Sequence, residues 1–333
     1  MTTPRVLLTL LATACLLTTV TAQVRQGNPA PPAAPQPAAP PTPLAPGAPF
    51  TVACATATLE ASPIYVASQG PFGPRMQYIN GGVRTLANSG AHAATNATTQ
   101  MLVVLRDNPK VRLLFTLAEG NYRIVAKRSA GIARLADLKG KRVVVPRTTS
   151  AHYYLVAMLR SAGLIESDVT LVSAPADAMA AAVLRGEADA ISMWEPESEN
   201  AVRALGRDAI EFQNNRIYRE LFSVYSTTDV LGDPKRRSEL VEFVRALRDA
   251  TGRIRNDPGP YLPLISKVTN HPADQISRSW KHHDFSFGMP SDLLDLITEE
   301  EKWVAAGQQR APRTRQELAG FIDTSIITEA ARR

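Results

Sequence analysis

Four short stretches of the sequence carry side chains suited to holding a small polar solute. Thr56, Thr58 and Ser62 follow the apolar run Phe50 to Ala55, and Asn96 stands just ahead of Thr98-Thr99. Thr148, Thr149 and Ser150 follow Arg142 to Pro146, and Trp194 and Glu195 close the run Ala188 to Met193. In each case hydroxyl or amide groups stand where a strand pattern gives way to a helical one. The first turn of a helix leaves N–H groups unpaired and carries partial positive charge, so it attracts anions and polar groups. One such residue alone is explained as a helix cap. Four such junctions in one chain point to a shared cleft, because open α/β sheets bind ligands beyond the carboxyl ends of their strands. Hydroxyl and amide groups there would add donors to a small anion or polar group, and the pattern locates a site without naming its ligand.

Residue types for catalysis are not assembled in the same way. The chain has no Gly-x-Ser-x-Gly elbow, Gly-x-Gly-x-x-Gly loop, phosphate-loop lysine motif or Cys-x-x-Cys pair. His282 and His283 are adjacent and point in different directions, which suits surface or packing roles better than chelation. His152 falls in the first turn of a helix, where it either reaches the cleft or packs beside Tyr153. His92 follows Gly90 in a tight turn, and a solvated role is expected. Glu195 and Glu197 read as an acidic pair at a helix start. Cys54 lies in an apolar run and reads as a small core residue. The expectation is a protein that is not an enzyme and has no cofactor and no metal.

The elements that must position these residues alternate. Strands are expected over Phe50 to Ala55, Val111 to Leu117, Tyr122 to Lys127, Arg142 to Pro146, Val169 to Val172 and Ala188 to Met193. Helices are expected over Pro63 to Ser68, Thr98 to Asp107, Ala151 to Ala162, Ala176 to Gly186, Glu195 to Leu205 and Pro234 to Asp257. Further helices fall over Tyr261 to Val268, Ala273 to Trp280, Ser291 to Ala306 and Thr314 to Ile322. This is an α/β pattern. After about Val230 no strong strand is expected, so the last hundred residues form a helical cover.

The N-terminal segment differs in kind. Of the 25 prolines, ten lie between Pro29 and Pro49, and no charged residue occurs between Arg25 and Glu60. Arg5, the apolar run Val6 to Val20 and the small residues of Val20-Thr21-Ala22 read as a signal peptide over residues 1–22. About 15 apolar residues are too few to span a bilayer. A lipoprotein reading would place cleavage before Cys15. Residues 23–49 read as an extended proline-rich spacer. At 44% hydrophobic and 20% charged, the remainder is an ordinary soluble composition. The net charge of +6 is spread along the chain without a basic stripe interleaved with aromatics, so no nucleic acid is expected as a partner.

Between Gly131 and Pro196 the sequence contains Asp-Leu-Lys-Gly-Lys-Arg-Val, then Thr-Thr-Ser-Ala-His, then Gly-Glu-Ala-Asp-Ala, then Trp-Glu-Pro. At that spacing it resembles the periplasmic solute-binding proteins of ABC importers for nitrate, aliphatic sulfonates and taurine. The resemblance implies a two-lobe, type II periplasmic-binding-protein fold with a hinge and a central ligand cleft. It implies crossings near Ile124 to Ser129 and Phe222 to Thr228. Lobe one is then residues 50–127 plus 224–333, and lobe two is 128–223. The implied function is a monomeric periplasmic receptor that delivers its ligand to a membrane ABC permease by hinge closure. Thr56, Thr58, Ser62, Asn96, Thr148, Thr149, Ser150, Trp194 and Glu195 map onto the family's cleft positions. No arginine stands at a matched position to clamp a sulfonate, the nearest being Arg147. A zwitterion or neutral heterocycle is therefore as compatible as an anion. Two other functions fit this fold: an enzyme of the thiamin-pyrimidine or menaquinone-pathway type, and a sensor that signals to a membrane kinase.

Overall fold

A computed structural model describes residues 49–332. The expected signal peptide and all but the last residue of the spacer lie outside them. Strands β1 (Phe50–Cys54), β2 (Met76–Asn80), β3 (Ala93–Ala97) and β4 (Val111–Gly120) come first. They are followed by β5 (Arg123–Lys127), β6 (Arg142–Val144), β7 (Thr170–Val172), β8 (Ala190–Met193) and β9 (Ala209–Phe212), then β10 (Glu220–Thr227) and β11 (His283–Asp284). One sheet has the order β11-β4-β10-β3-β1-β2 and the other β7-β6-β8-β5-β9. In both sheets parallel pairs adjoin antiparallel ones: β1 runs parallel to β2 and β3 while β10 opposes β3 and β4, and β6 runs parallel to β7 and β8 while β5 opposes β8 and β9.

The helices are α1 (Ser62–Ala67), α2 (Val83–Ser89), α3 (Thr98–Val104), α4 (Ser150–Ser161), α5 (Met179–Leu184), α6 (Glu197–Leu205) and α7 (Thr228–Gly232). After them come α8 (Pro234–Asn256), α9 (Leu262–Thr269), α10 (Ala273–Ser279), α11 (Leu293–Gly307), α12 (Arg315–Ala319) and α13 (Ser325–Ala331). Strand alternation decides which layer each residue joins. Phe50, Val52 and Cys54 of β1 pack with Ile64 and Tyr65 of α1 and with Phe243, Val244 and Leu247 of α8. Ala53 faces the opposite layer, with Met101 and Leu102 of α3 and Ile297 and Val304 of α11. The second sheet repeats this. Ile124, Ala126 and Val143 face Tyr154, Leu155 and Met158 of α4, whereas Val125, Val144 and Ile191 face Met179 and Val183 of α5. Local signals set several boundaries: Asp233 caps α8, accepting from the amides of Lys235 and Arg236 ahead of the full 23-residue helix.

Strand pairing moves the crossings earlier than expected. β5 pairs with β8 and β9, so the first crossing is Asn121–Tyr122 and not within Ile124 to Ser129. β10 runs from Glu220, so the second lies in residues 213–219 and Phe222 to Thr228 belongs to a central strand. The pattern hides β10 because Ser223 and Ser226 interrupt it. Both are buried with partners, Ser223 on the Thr116 hydroxyl at 3.1 Å and Ser226 on the His92 carbonyl at 2.7 Å. The edge strand β2, the β9 strand and the two-residue β11 were likewise not expected. β11 means that the C-terminal part is a helical cover with one strand added to the first sheet at β4.

Candidate functional site

A cavity of about 220 Å³ lies where the two sheets face each other. From the first sheet and its loops it takes Ala55, Thr58, Glu60, Asn96, Ala97, Gln100, Glu220 and Phe222; from the second, Tyr122, Thr149, Ser150 and Trp194. A wider space of about 670 Å³ shares Ala55, Thr58 and Trp194 with it and continues to Asn80, Asn200 and His271. Gln100 ties the two halves together by donating to the Thr148 carbonyl at 2.9 Å. A separate hollow of about 550 Å³, around His92, Lys110 and Asp233, lies on the first sheet's helices and takes no residue from the second sheet.

Of the residues expected at the site, Thr58, Asn96, Thr149, Ser150 and Trp194 line the inner cavity. Thr149 and Ser150 stand at the start of α4, and Ser150 shares a 2.8 Å hydrogen bond with the Tyr122 hydroxyl. Asn96 lies over Gly82, where a Cβ would meet its Nδ2 at 2.1 Å, so a side chain there would displace it. The other four stand elsewhere. Thr56 turns to Asn80, with its hydroxyl 3.0 Å from the Asn80 Oδ1. Ser62 is buried and donates to the Leu59 carbonyl at 2.6 Å. Thr148 has a left-handed backbone, φ 60°, and its hydroxyl bonds to the Arg147 carbonyl.

Glu195 is 2% exposed and points into its own lobe, where Arg123 Nε donates to it at 2.8 Å. Arg123 also meets Glu199 at 3.3 Å and Glu211 at 2.6 Å. Burial pushes the Glu195 carboxyl up, against the pull of the Arg123 guanidinium. Glu195 Oε2 also accepts from the Glu199 amide at 3.2 Å, and Glu195 does not line the inner cavity.

Three of the five histidines are packing groups. His92, expected in solvent, is buried, stacks on Phe50 and accepts from the Thr51 amide at 2.9 Å. His152 packs edge-on against Trp303 of α11, not into the cavity. His282 is buried too, which holds its imidazole down at about 3.

Three residues central to the cavity were not among the expected ones: Glu60, Tyr122 and Glu220. Gly120 explains how they meet. On β4 it pairs with Glu220 of β10 on one side and His283 of β11 on the other. Lacking a side chain, it leaves a gap: a Cβ there would lie 2.9 Å from Glu220 Oε2 and 3.1 Å from Glu60 Oε1. The two carboxyls therefore converge on one point, and His283 Nε2 stands 3.3 Å from Glu60 Oε1. Burial opposes charge on all three. The imidazolium nevertheless holds Glu60 below its ordinary range, and the Glu60 carboxylate raises His283. Burial, then the Glu60 charge, pushes the Glu220 carboxyl well up. The only sequence signal was a lone acid in an otherwise uncharged run, Glu60 between Leu59 and Ala61. No Lys, Arg, Cys or His lines this cavity. Among the described residues no cluster of His, Cys, Asp and Glu has metal-binding geometry, and no helix is long and apolar enough to cross a membrane.

The taurine-binding periplasmic protein of Escherichia coli strain K12 is 31% identical over 123 residues, covering 37% of this chain and 35% of that relative. The match thus spans about a third of the relative's length. The solved periplasmic aliphatic sulphonate-binding protein of Escherichia coli aligns with a TM-score of 0.70 at 14% identity, over 82% of this chain and 96% of its own. A desulfurization enzyme aligns with a TM-score of 0.58 at 15% identity, over 84% of this chain and 98% of its own, so the same fold also carries an enzyme. These structural likenesses establish the two-lobe α/β fold. The profile described as NMT1/THI5 like matches residues 80–260, more than half of the sequence, including β3 to β10 and most of the cavity wall. The chain therefore belongs to the NMT1/THI5-like family.

Proposed function

We propose that the protein is a periplasmic solute-binding receptor that delivers a small polar solute to a membrane ABC permease by closing two lobes over it. The observation that carries this reading is a cavity walled from both sheets, with Thr149, Ser150 and Trp194 facing Asn96, Gln100 and Phe222. A site built from two halves couples ligand binding to their approach, because the ligand gains its full contacts only in the closed form. The likeness to a taurine-binding periplasmic protein supports the same reading. Lobe one comprises the first sheet with the C-terminal helices, and lobe two the second sheet. Residues 1–22 act as the export signal, with residues 23–49 as spacer, and the receptor works as a monomer. Cys54 is buried in β1, with its thiol pushed up to about 12 by burial, and does not line the cavity.

The test combines thermal-shift screening of small amines, sulfonates, nitrate and heterocycles with small-angle scattering. A bound compound should raise the melting temperature and shrink the radius of gyration. Thr149→Leu, which fills the cavity beside a half-buried residue, should abolish the shift while leaving the ligand-free melting temperature within about 2 °C. Turnover of a bound compound, or binding with no compaction, would refute the receptor reading.

A further inference from the structure

The receptor reading leaves open which end of a solute the deep wall of the cavity selects. We propose that this wall, formed by Glu60 and Glu220 across Gly120, is a subsite for an ammonium group, so that the ligand is a small amine or a zwitterion held by its nitrogen. The inference rests on the receptor reading above and adds the charge class of the solute.

Three observations support it. Both carboxyls line the cavity while belonging to residues 1% and 4% exposed, so neither is a solvated surface acid. Glu60 Oε2 is buried and has no hydrogen-bond partner. Burial of an acceptor without a donor is costly, and an ammonium with three N–H donors satisfies it. Finally, the cavity lining has no Lys or Arg to receive an anion, and the one cation close by, His283, is already compensated by Glu60 at 3.3 Å.

The charge balance follows. Glu60 is paired with His283, and burial, then the Glu60 charge, pushes the Glu220 carboxyl well up, which favours a proton on it. An arriving ammonium takes the position that proton occupies. Glu220 releases the proton to solvent and becomes the carboxylate that compensates the ligand. The other groups facing Glu220 are Tyr122, whose phenol stays neutral, and the more distant acid Glu300. The rings of Tyr122 and Trp194, 6.3 Å apart, add aromatic faces on which a cation is favoured. Asn96, Gln100 and the start of α4 at Thr149 are left for the other end of the solute.

The experiment uses two matched pairs, 2-aminoethanesulfonate with 2-hydroxyethanesulfonate and butylamine with butanol, titrated calorimetrically into the whole protein and into Glu220→Gln. The amide imitates the protonated acid, so this variant keeps the fold. A second variant, Gly120→Ala, places a methyl group against both carboxyls. The amine of each pair should bind at least about tenfold tighter than the alcohol in the wild type. That preference should vanish in both variants. Amine binding should also release about one proton, read from the heat in buffers of different ionisation enthalpy, and Glu220→Gln should lose that release. Equal affinity for amine and alcohol would overturn the ammonium subsite and leave the receptor reading standing. Failure of all four compounds to bind would count against both.

Discussion

Replacing Glu300 by Gln isolates the cost of one buried acid that the cavity does not use. Glu300 sits on α11, 1% exposed, and accepts from the Thr98 hydroxyl at 3.0 Å, while its Oε2 has no partner. Burial, partly offset by the Thr98 and Tyr218 hydroxyls, raises its carboxyl from the ordinary 4.5 to about 7. The folded state therefore holds a proton that the unfolded chain has released, throughout the window between those values. Native stability must fall as pH rises through that window, by about 3 kcal/mol in all. The amide cannot ionise, so the variant escapes this loss. Any constant cost of the substitution cancels when one pH is compared with another. The stability difference, variant minus wild type, should grow by about 2.5 kcal/mol from pH 5 to pH 8. Urea unfolding at fixed ionic strength measures it, and melting temperatures should move by about 2–4 °C per kcal/mol. A difference that stays flat with pH, or shrinks as pH rises, would refute the reasoning.

Two further outcomes test the packing of charge. Arg123→Met strands Glu195 in the interior without its counter-ion, while Glu199 keeps Arg278 at 3.2 Å, and should cost about 3–5 kcal/mol by urea unfolding, whereas a loss below about 1 kcal/mol would mean that Glu195 relaxes to solvent. His92 is held down at about 4 by burial and then by Arg236, below its ordinary 6.5. Its contribution is thus complete above pH 6.5 and is lost as pH falls towards 4. His92→Gln should flatten the acid limb of the stability curve over that interval, and an unchanged slope would show that another group sets it.

The comparison of sequence with structure is most instructive at residues near the cavity. Local signals sufficed for β1, α4, α8 and the start of α3, because apolar period, caps and proline placement act between neighbours in the chain. The expected residues Thr58, Asn96, Thr149, Ser150 and Trp194 line one cavity, since strand ends in an α/β sheet share one edge. The same signals were blind to side-chain direction. Ser62 and Glu195 occupy the expected junctions, yet one bonds to its own backbone turn and the other to Arg123, 72 residues away in sequence.

The sequence by itself determined the α/β class and the two-lobe family and brought several hydroxyl and amide residues to the candidate site, because those follow from periodicity and short motifs. Only the tertiary structure decided what charge that site presents. Glu60, Gly120, Glu220 and His283 come from four separate segments, and no spacing along the chain relates them. They meet because β4 pairs with β10 on one side and β11 on the other, and because the glycine at that pairing leaves room for two carboxyls.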